Sequence, residues 1–297
     1  MQNVLIIGAT GMLGHKLCQR LPEMGFKVSA TVRNDTSLYA DYSAIFKDVN
    51  LIGNVDVLDD NSVQHTVKQQ KYDFVINCVG IIKQRKSAEN KLLSIAINAY
   101  LPHKLAQICE EARSKLIHIS TDCVFDGERG LYHESEETNA KDVYGLTKLL
   151  GETDVEETSA ITLRTSIIGR QLVEPKLSLI EWFLSQNGKT IKGFNKAIYT
   201  GITTEEMARV IALVMNSQNF ESGTHHVAST PISKYDLLIR LRDIMKLDIK
   251  IEKDDEFFCD RSLIMDSFSK MTGYAAPSWD EMLSELANDQ TPYTTNN

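Results

Sequence analysis

Two short stretches of this 297-residue chain carry residue types and spacings that suggest chemistry. In the first, an apolar run from Val4 to Ile7 leads into glycines at positions 8, 11 and 14. Glycines in such a turn let the backbone approach a pyrophosphate, whose charge lies at the N-terminus of the next helix. In the second, Tyr144 and Lys148 stand four residues apart, which places a phenol and an ammonium on one face of a helix.

Each stretch alone has a structural alternative. The glycine turn is also compatible with simple packing, and the helix with a tyrosine and a lysine that merely face solvent. Together, the two stretches indicate a redox site in which a dinucleotide lies on the turn and Tyr144 donates a proton.

Thr121 supplies a third candidate catalytic group, because Ser120-Thr121-Asp122 ends an apolar segment that predicts a strand. A hydroxyl there would lie above the nicotinamide and could orient a substrate carbonyl between itself and Tyr144. A free tyrosine has a pKa of about 10. The ammonium of Lys148, together with an oxidised nicotinamide, would lower that pKa, and Lys148 could also hold the ribose hydroxyls. We therefore predict Thr121, Tyr144 and Lys148 as the catalytic residues.

Arg33 bears on the choice of dinucleotide, because it follows the predicted second strand. Domains that prefer NAD usually place an acid there, whereas a guanidinium suits the 2′-phosphate of NADP(H). The alternative is a solvated surface arginine. Asp56-Val57 could border the adenine or only cap a loop, and Cys78-Val79-Gly80 could approach the cofactor or form an ordinary turn at the end of a strand.

The elements that would position these groups alternate through the first half of the chain. Near-continuous apolar segments predict strands at Val4–Ile7, Lys27–Val32, Ile45–Lys47, Phe74–Cys78, Leu116–Ser120 and Ile161–Arg164. Amphipathic segments predict helices around 12–24, 60–70, 90–113 and 143–157. This pattern is typical of an α/β fold with a doubly wound parallel sheet, covered by helices on both faces.

The pattern is less regular beyond about residue 165. Here we predict helices at 177–186, 204–216, 233–246 and 279–287, a strand at Thr224–Val227, and a frayed polar tail over 288–297. We expect residues 1–165, completed by parts of 200–230, to form the dinucleotide-binding domain. Residues 166–297 would form a smaller, partly interleaved C-terminal lobe that binds the substrate.

Composition limits the binding partners and the cellular compartment that we expect for the chain. The chain has 32 Lys and Arg against 40 Asp and Glu, a net charge of −8, which argues against a nucleic-acid or anionic-membrane partner. It begins directly with a strand-like segment and has no long apolar run, so we expect neither a signal peptide nor a membrane span. Its five scattered cysteines fit reduced thiols in the cytoplasm, and its seven histidines show no metal-ligand spacing.

Three motifs together resemble those of a known family. They are Gly8-x-x-Gly11-x-x-Gly14, Ser120-Thr121-Asp122-Cys123-Val124-Phe125-Asp126-Gly127 and Val143-Tyr144-Gly145-Leu146-Thr147-Lys148-Leu149-x-Gly151-Glu152. They resemble the extended short-chain dehydrogenase/reductases, and within them the dTDP-4-dehydrorhamnose reductase type. The likeness runs over nearly the whole chain, through Leu163-Arg164-Thr165, Gly223-Thr224-His225-His226-Val227 and Gly273-Tyr274-x-x-Pro277-Ser278-Trp279.

The resemblance implies a Rossmann fold and NADPH-dependent reduction, at C4, of a nucleotide-linked 4-keto-6-deoxy sugar, in deoxysugar or polysaccharide biosynthesis. Thr121, Tyr144 and Lys148 take the family's catalytic places. The residues that match its cofactor shell are Gly8, Thr10, Gly11, Met12, Leu13, Gly14, Arg33 and Gly80. A homodimer is compatible with this assignment.

Cys123 departs from the family pattern, which usually has tyrosine there. The related GDP-fucose synthases, which epimerise before they reduce, place a catalytic cysteine at this position, two residues after the catalytic hydroxyl. They also need a histidine shortly after the sixth strand, and Ile167-Ile168-Gly169-Arg170-Gln171 contains none. The related 4,6-dehydratases have Thr-Asp-Glu where this chain has Thr121-Asp122-Cys123.

A non-enzymatic alternative also stays open, because proteins similar to these reductases serve as dinucleotide-binding regulatory subunits. For the substrate side we predict Lys83, Cys123, Tyr144 and Arg261. Gln84, Arg85 and Lys196 are further candidate cations or polar groups near the sugar nucleotide. An acidic chain must concentrate cations locally to bind a diphosphate, although each of these residues alone is also compatible with a plain surface position.

Overall fold

The computed structural model describes residues 1–83, 89–153, 159–218 and 220–293. In the first half of the chain strands and helices alternate. The strands are β1 (Asn3–Ile7), β2 (Lys27–Thr31), β3 (Val49–Ile52), β4 (Phe74–Asn77), β5 (Lys115–Thr121) and β6 (Ala160–Thr165). The helices are α1 (Gly14–Glu23), α2 (Ser43–Phe46), α3 (Asp60–Lys68), α4 (Lys91–Ser94), α5 (Leu101–Ala112) and α6 (Val143–Leu149). A π-helical turn, Ile95–Tyr100, joins α4 to α5.

The described part of the second half adds four short strands, two long strands and five helices. The strands are β7 (Ile167–Ile168), β8 (Thr190–Tyr199), β9 (Ile202–Thr203), β10 (Gly223–His226), β11 (Ile232–Ser233) and β12 (Lys250–Asp260). The helices are α7 (Leu179–Leu184), α8 (Thr204–Asn216), α9 (Lys234–Met245), α10 (Ser267–Thr272) and α11 (Trp279–Ala287). No helix in the described part of the chain is both long enough and apolar enough to cross a membrane.

The central sheet has seven parallel strands in the order β10-β6-β5-β4-β1-β2-β3. Its inner strands are buried on both faces, as their apolar composition predicted. Leu5 of β1 packs in one core cluster with residues of α3 and α5, whereas Ile6 packs on the opposite face with residues of α1 and α8. The predicted doubly wound parallel sheet is therefore confirmed.

The strand order creates a crevice between β1 and β4. From β1 the chain first builds outward through β2 and β3, and then returns to build β4, β5 and β6 on the other side. In open parallel sheets ligands bind at such a switch point, beyond the carboxyl ends of the strands. The glycine turn after β1 and Thr121 at the end of β5 both lie at this edge.

A smaller sheet, β11-β8-β12, lies in the second half of the chain. Its two long strands, β8 and β12, were not predicted from the sequence. The burial of β8 alternates, with Gly193 and Ala197 buried and Lys192 and Lys196 outside the core. The lysines interrupt the apolar signal, and the parallel partner that completes the sheet is more than fifty residues away.

Two predictions of secondary structure around the large sheet were wrong, one of a strand and one of the extent of a helix. Ile45–Lys47 was predicted as a strand, but Ile45 and Phe46 belong to helix α2, and the third strand is β3. Periodicity does not distinguish helix from strand in so short an apolar run. The helix predicted over 143–157 ends at Leu149, where Gly151 packs so tightly on the carbonyl of Asn98 that a side chain would not fit. Residues 154–158 lie outside the described residues.

The expectation of a frayed tail was wrong up to Tyr293, and residues 294–297 lie outside the described residues. Lys16 of α1 is fully buried, and its Nζ lies 2.7 Å from Asp289 and 3.3 Å from Glu205. Tyr293 is buried edge-on against His15. The polar tail is thus held by a buried cation that needs counter-charges. Burial alone would raise the pKa of Asp289, but hydrogen bonds from Lys16, Tyr293 and Thr291 lower it to about 2.

We predict that Lys16→Met lowers the free energy of unfolding by about 3–5 kcal/mol, because it leaves two buried carboxylates without their cation. Denaturant unfolding at neutral pH measures the change. Lys47→Met is the matched control, since Lys47 is mostly exposed and lies 3.9 Å from Asp48, and it should change stability little. Equal effects of the two substitutions would contradict a buried ionic anchor for the tail.

Candidate active site

The turn after β1 brings the backbone of α1 very close to the sheet. Gly8 has a φ of +96°, and its amide donates to Thr31 Oγ1 at 3.1 Å. A Cβ on Gly14 would lie 2.0 Å from the Gly8 carbonyl oxygen, so only glycine lets α1 begin here. Within the described residues, the backbone amides of Thr10, Met12 and Leu13 donate to no protein group. Unpaired donors at a helix N-terminus are the groups that bind a phosphate, so the turn fits a pyrophosphate.

The segment after β4 packs directly beside this turn. A Cβ on Gly8 would lie 2.8 Å from Val79 Cγ2, and Cys78 donates its amide to the carbonyl of Ile7. Asn98, in the π-helical turn, accepts from the Ile81 amide at 2.8 Å and donates to the Ile81 carbonyl at 3.0 Å. The Cys78-Val79-Gly80 stretch therefore borders the glycine turn, held in place by Asn98, which the sequence analysis did not identify.

Arg33 and Asp56 lie at the same edge of the sheet, after β2 and β3. Arg33 is exposed, and among the described residues it has neither a hydrogen-bond nor an ion-pair partner. Asp56 accepts the Leu58 amide at 3.0 Å, so one of its oxygens serves its own loop. Val57 is partly buried. The guanidinium of Arg33 is thus available to an anion, whereas Asp56 already has a local role.

Thr121 lies where β5 meets a short 3₁₀ turn, Asp122–Val124. Its Oγ1 accepts the Cys123 amide and lies 3.2 Å from Asp122 Oδ1. The other carboxylate oxygen of Asp122 accepts from Ser166 Oγ at 2.6 Å. Neither Asp122 nor Ser166 was singled out from the sequence, because Ser166 reaches the site only through the pairing of β5 with β6.

Tyr144 is placed beside Thr121 by the way α6 begins. Asp142 caps the helix by accepting the Gly145 amide at 2.8 Å. A Cβ on Gly145 would lie 2.3 Å from the Cys123 carbonyl oxygen, so this glycine lets α6 press against the end of β5. Burial raises the pKa of Tyr144 above its ordinary value, and a hydrogen bond from Thr121 acts in the opposite direction. At neutral pH the phenol is therefore protonated.

Lys148 is buried and lies over β5. Its Nζ donates to the Ile119 carbonyl at 2.6 Å and lies 3.4 Å from His118 Nε2. Burial lowers the pKa of Lys148 to about 8, although the charge of Glu152 opposes this shift. In this structure burial therefore dominates the pKa of both residues, since it raises that of Tyr144 and lowers that of Lys148.

Two of the cations that the sequence proposed for the substrate, Lys83 and Arg261, lie close enough to Cys123 for their charges to act on its thiol. The Nζ of Lys83 is 2.5 Å from Asp142 Oδ2 and 5.6 Å from the centre of the Tyr144 ring. Arg261 is fixed by the carbonyls of Phe125 and Asp126, at 2.8 and 3.1 Å.

Burial raises the pKa of the Cys123 thiol to about 12, while the charges of Lys83 and Arg261 oppose it. Of the other candidates on the substrate side, Lys196 is exposed on β8. Gln84 and Arg85 lie outside the described residues. Among the residues that are described, no group of histidine, cysteine or acidic side chains is arranged to hold a metal ion.

A buried ion pair ties the chain after α6 to the sheet. Arg164 of β6 binds Glu152 through two hydrogen bonds, of 2.8 and 2.7 Å, and Ser120 of β5 donates to the same carboxylate at 2.6 Å. The guanidinium also lies 5.5 Å from the centre of the Phe125 ring. The motifs contained Glu152 and Arg164, but nothing in their spacing predicted that they pair.

Comparison with known proteins agrees with this geometry. A protein-family model described as the RmlD substrate binding domain matches residues 1–251. A probable low-salt glycan biosynthesis reductase of Haloferax volcanii is 29% identical over 231 residues, which cover 75% of this chain and 73% of that protein. A dTDP-4-dehydrorhamnose reductase of Streptomyces griseus is 32% identical over 154 residues, or 52% of this chain and 44%, less than half, of that protein.

A solved structure shows the same fold. The dTDP-4-dehydrorhamnose reductase of Bacillus anthracis str. Ames, in complex with NADP, superposes with a TM-score of 0.78 at 20% identity. The alignment covers 96% of this chain and 98% of that structure. The resemblance inferred from the motifs is confirmed, because the matching family model spans most of the sequence. The chain belongs to the RmlD substrate-binding-domain family.

Proposed function

We propose that this chain is an NADPH-dependent reductase of the C4 keto group in a nucleotide-linked 4-keto-6-deoxy sugar, as in deoxysugar or polysaccharide biosynthesis. The observation that carries the proposal is the placement of protonated Tyr144 beside Thr121, at the edge of the sheet where the glycine turn lies. The names of the relatives, a glycan biosynthesis reductase and a dTDP-4-dehydrorhamnose reductase, support the choice of substrate class.

The residues that would hold NADP(H) come from four strand ends and from helix α6. The glycine turn would receive the pyrophosphate, Arg33 the 2′-phosphate, and Lys148 the ribose of the nicotinamide. The rest of the proposed shell lines the crevice and comprises Asp56, Val57, Cys78, Val79 and Gly80. When bound, the cofactor supplies the hydride that the sugar carbon accepts.

The chain itself must supply the proton and the alignment. Reduction of a ketone adds hydride to carbon and a proton to oxygen, and the phenol of Tyr144 is the proposed proton donor. Burial keeps this phenol protonated at neutral pH, which suits an acid. Thr121 would position the carbonyl oxygen, and Asp122 in turn fixes Thr121 through the contact at 3.2 Å.

Lys83 and Arg261 are the proposed contacts for the substrate. Lys83 lies 5.6 Å from the centre of the Tyr144 ring and is already paired with Asp142. A diphosphate could compete for that cation. We also propose the division into a dinucleotide-binding domain, 1–165, and a substrate lobe, 166–297. Strand β10 joins the large sheet although it belongs to the second part of the chain. A homodimer is the proposed assembly.

Tyr144→Phe should lower kcat about 10²–10⁴-fold, because it removes the proton donor, while the affinity for NADPH stays nearly the same. Oxidation of NADPH with a panel of 4-keto-6-deoxy sugar nucleotides measures the first quantity, and cofactor fluorescence the second. Tyr100→Phe is the matched control, since Tyr100 is exposed and bonded to Asp60. Turnover by Tyr144→Phe above about half of the wild-type value would show that another group is the acid. A wild-type protein that binds NADPH but reduces no sugar of the panel would favour the regulatory-subunit alternative.

Cys123 separates a simple reductase from an epimerase-reductase. A thiol whose pKa is raised to about 12 is a poor base at neutral pH, so we expect no epimerisation. In D₂O, the product should carry no deuterium at C3 or C5 beyond that in a reaction without enzyme, as read by NMR. Cys123→Ser should leave the product's configuration unchanged. Enzyme-dependent deuterium that disappears in Cys123→Ser would establish the epimerase-reductase instead.

Arg33 should determine the preference for NADPH over NADH. A charge-assisted contact at an open edge, with a differential of about 1.4–2.8 kcal/mol, corresponds to a preference of about 10–100-fold. Arg33→Ala should weaken NADPH binding by that factor and NADH binding hardly at all, and added salt should reduce the preference. Titration by fluorescence measures both affinities, with Arg240→Ala as a surface control. Equal weakening of the two cofactors would contradict a role for Arg33 at the 2′-phosphate.

A further inference from the structure

A chain of hydrogen bonds runs through the large sheet and ends at Lys148. His118 is fully buried in the middle of β5, with its Nε2 3.4 Å from Lys148 Nζ. Its Nδ1 lies 3.2 Å from Asn77 Nδ2, in the neighbouring strand β4. The backbone amide of Val79 donates to Asn77 Oδ1 at 3.1 Å. The three side chains thus form a line from the cofactor edge at Val79 to the amine of Lys148.

The hydrogen bond from the Val79 amide to Asn77 determines the direction of the other two. A backbone N–H can only donate, so the Asn77 atom facing Val79 must be the carbonyl oxygen. The side-chain nitrogen of Asn77, which can only donate, then faces His118, so His118 Nδ1 must be the acceptor. Burial lowers the pKa of His118 well below its usual value, and a neutral imidazole has a single N–H. That proton must therefore be on Nε2, directed at Lys148.

This N–H constrains the charge of Lys148. An ammonium has three donors and no acceptor, so it would meet the His118 N–H donor against donor. A neutral amine can accept that N–H through its lone pair and still donate to the Ile119 carbonyl. Burial shifts the equilibrium toward the same neutral form, since it lowers the pKa of Lys148 to about 8, and above that pH the neutral amine is the main form.

The charges around Lys148 do little to favour its ammonium form. Glu152 is the carboxylate that favours the ammonium, but Arg164 and Ser120 already occupy its oxygens. Besides Lys148, His103 of α5 acts on His118, and its charge also lowers the pKa of His118. Tyr144, on the same helix as Lys148, is neutral because burial raises its pKa.

We propose that Asn77 and His118 are positioning residues that favour Lys148 as a neutral amine, so that in alkaline solution the site takes up about one proton from solvent when the dinucleotide binds. The ribose hydroxyls would then face an ammonium, whose charge also favours the phenolate form of Tyr144. Proton donation by Tyr144 would thus become favourable only after the cofactor is in place. The role of Lys148 toward the cofactor rests on the proposed reductase function, whereas the state of His118 does not.

The first experiment reads the histidine directly. Long-range ¹H–¹⁵N NMR spectra of the protein labelled with [¹⁵N]histidine, recorded without NADPH, distinguish the two tautomers. The His118→Gln variant identifies the signals by their loss. We expect the proton on Nε2. In Asn77→Asp, the carboxylate can accept from both Val79 and His118, so the proton should move to Nδ1. A wild-type Nδ1–H tautomer, or a doubly protonated ring, would overturn the proposal whatever the protein catalyses.

The second experiment counts protons. Calorimetric titration with NADPH at pH 9, in two buffers of different ionisation enthalpy, should show uptake of roughly 0.9 proton per cofactor bound if Lys148 returns to an ordinary lysine pKa. The 2′-phosphate, with a pKa of about 6, is fully ionised at this pH and contributes nothing. Lys148→Met and Asn77→Asp should both abolish the uptake, and His65→Gln, on the exposed surface of α3, should retain it.

The outcomes separate the two proposals. If NADPH binds to the wild-type protein without proton uptake, the proposal for His118 fails while the reductase proposal stands. If uptake persists in Asn77→Asp, the hydrogen-bond direction does not control Lys148, and the proposal fails again. If NADPH does not bind at all, the proposed function fails, and the tautomer experiment still decides the state of His118. A merely structural His118 would change the melting temperature in its variants but not the tautomer pattern or the proton count.

Discussion

The placement of one short helix depends on a buried ion pair. Helix α6 carries Tyr144 and Lys148 but has only seven residues, too few to be stable alone in water. Glu152, just beyond it, is held by the guanidinium of Arg164 and by Ser120, so the helix is tied to two strands of the sheet. Without that carboxylate, Arg164 would be a buried and uncompensated charge. The ion pair between Glu152 and Arg164 therefore sets the position of the candidate catalytic groups.

Burial then decides the protonation of these groups. It raises the pKa of Tyr144 and of the Cys123 thiol, and it lowers that of Lys148. All three shifts favour the neutral form, because a low-dielectric site disfavours charge of either sign. The cations proposed for the substrate, Lys83 and Arg261, are less buried. The centre of the site is thus suited to a neutral ketone, and its periphery to an anionic nucleotide.

The sequence predicted those parts of the protein that depend on local spacing. The glycine turn, the Tyr144/Lys148 pair and the parallel sheet could be inferred because their signals lie within a few residues of one another. The strand expected at Ile45–Lys47 was wrong because two adjacent apolar residues fit a helix equally well. The long strands β8 and β12 were missed because charged residues interrupt their apolar pattern and their partners are distant.

Other features depend on contacts that only the folded chain creates. Asn98, Ser166 and His118 gain their roles from residues 17 to 44 positions away, so no local pattern marks them. The same holds for Asp289. The C-terminal tail was expected to be frayed, but the ion pair between Asp289 and the buried Lys16 accounts for the order of the tail.

The most direct measurement of the central claim follows the hydride itself. The protein would be incubated with NADPH carrying deuterium on nicotinamide C4 and with a 4-keto-6-deoxy sugar nucleotide, and the product examined by NMR and mass spectrometry. A C4 reductase places one deuterium on C4 of the sugar for each cofactor oxidised when the labelled face is the one that reacts, so both deuterated epimers are tested. Cofactor oxidation without deuterium at C4 for either epimer, or no oxidation with any such sugar, would contradict the account.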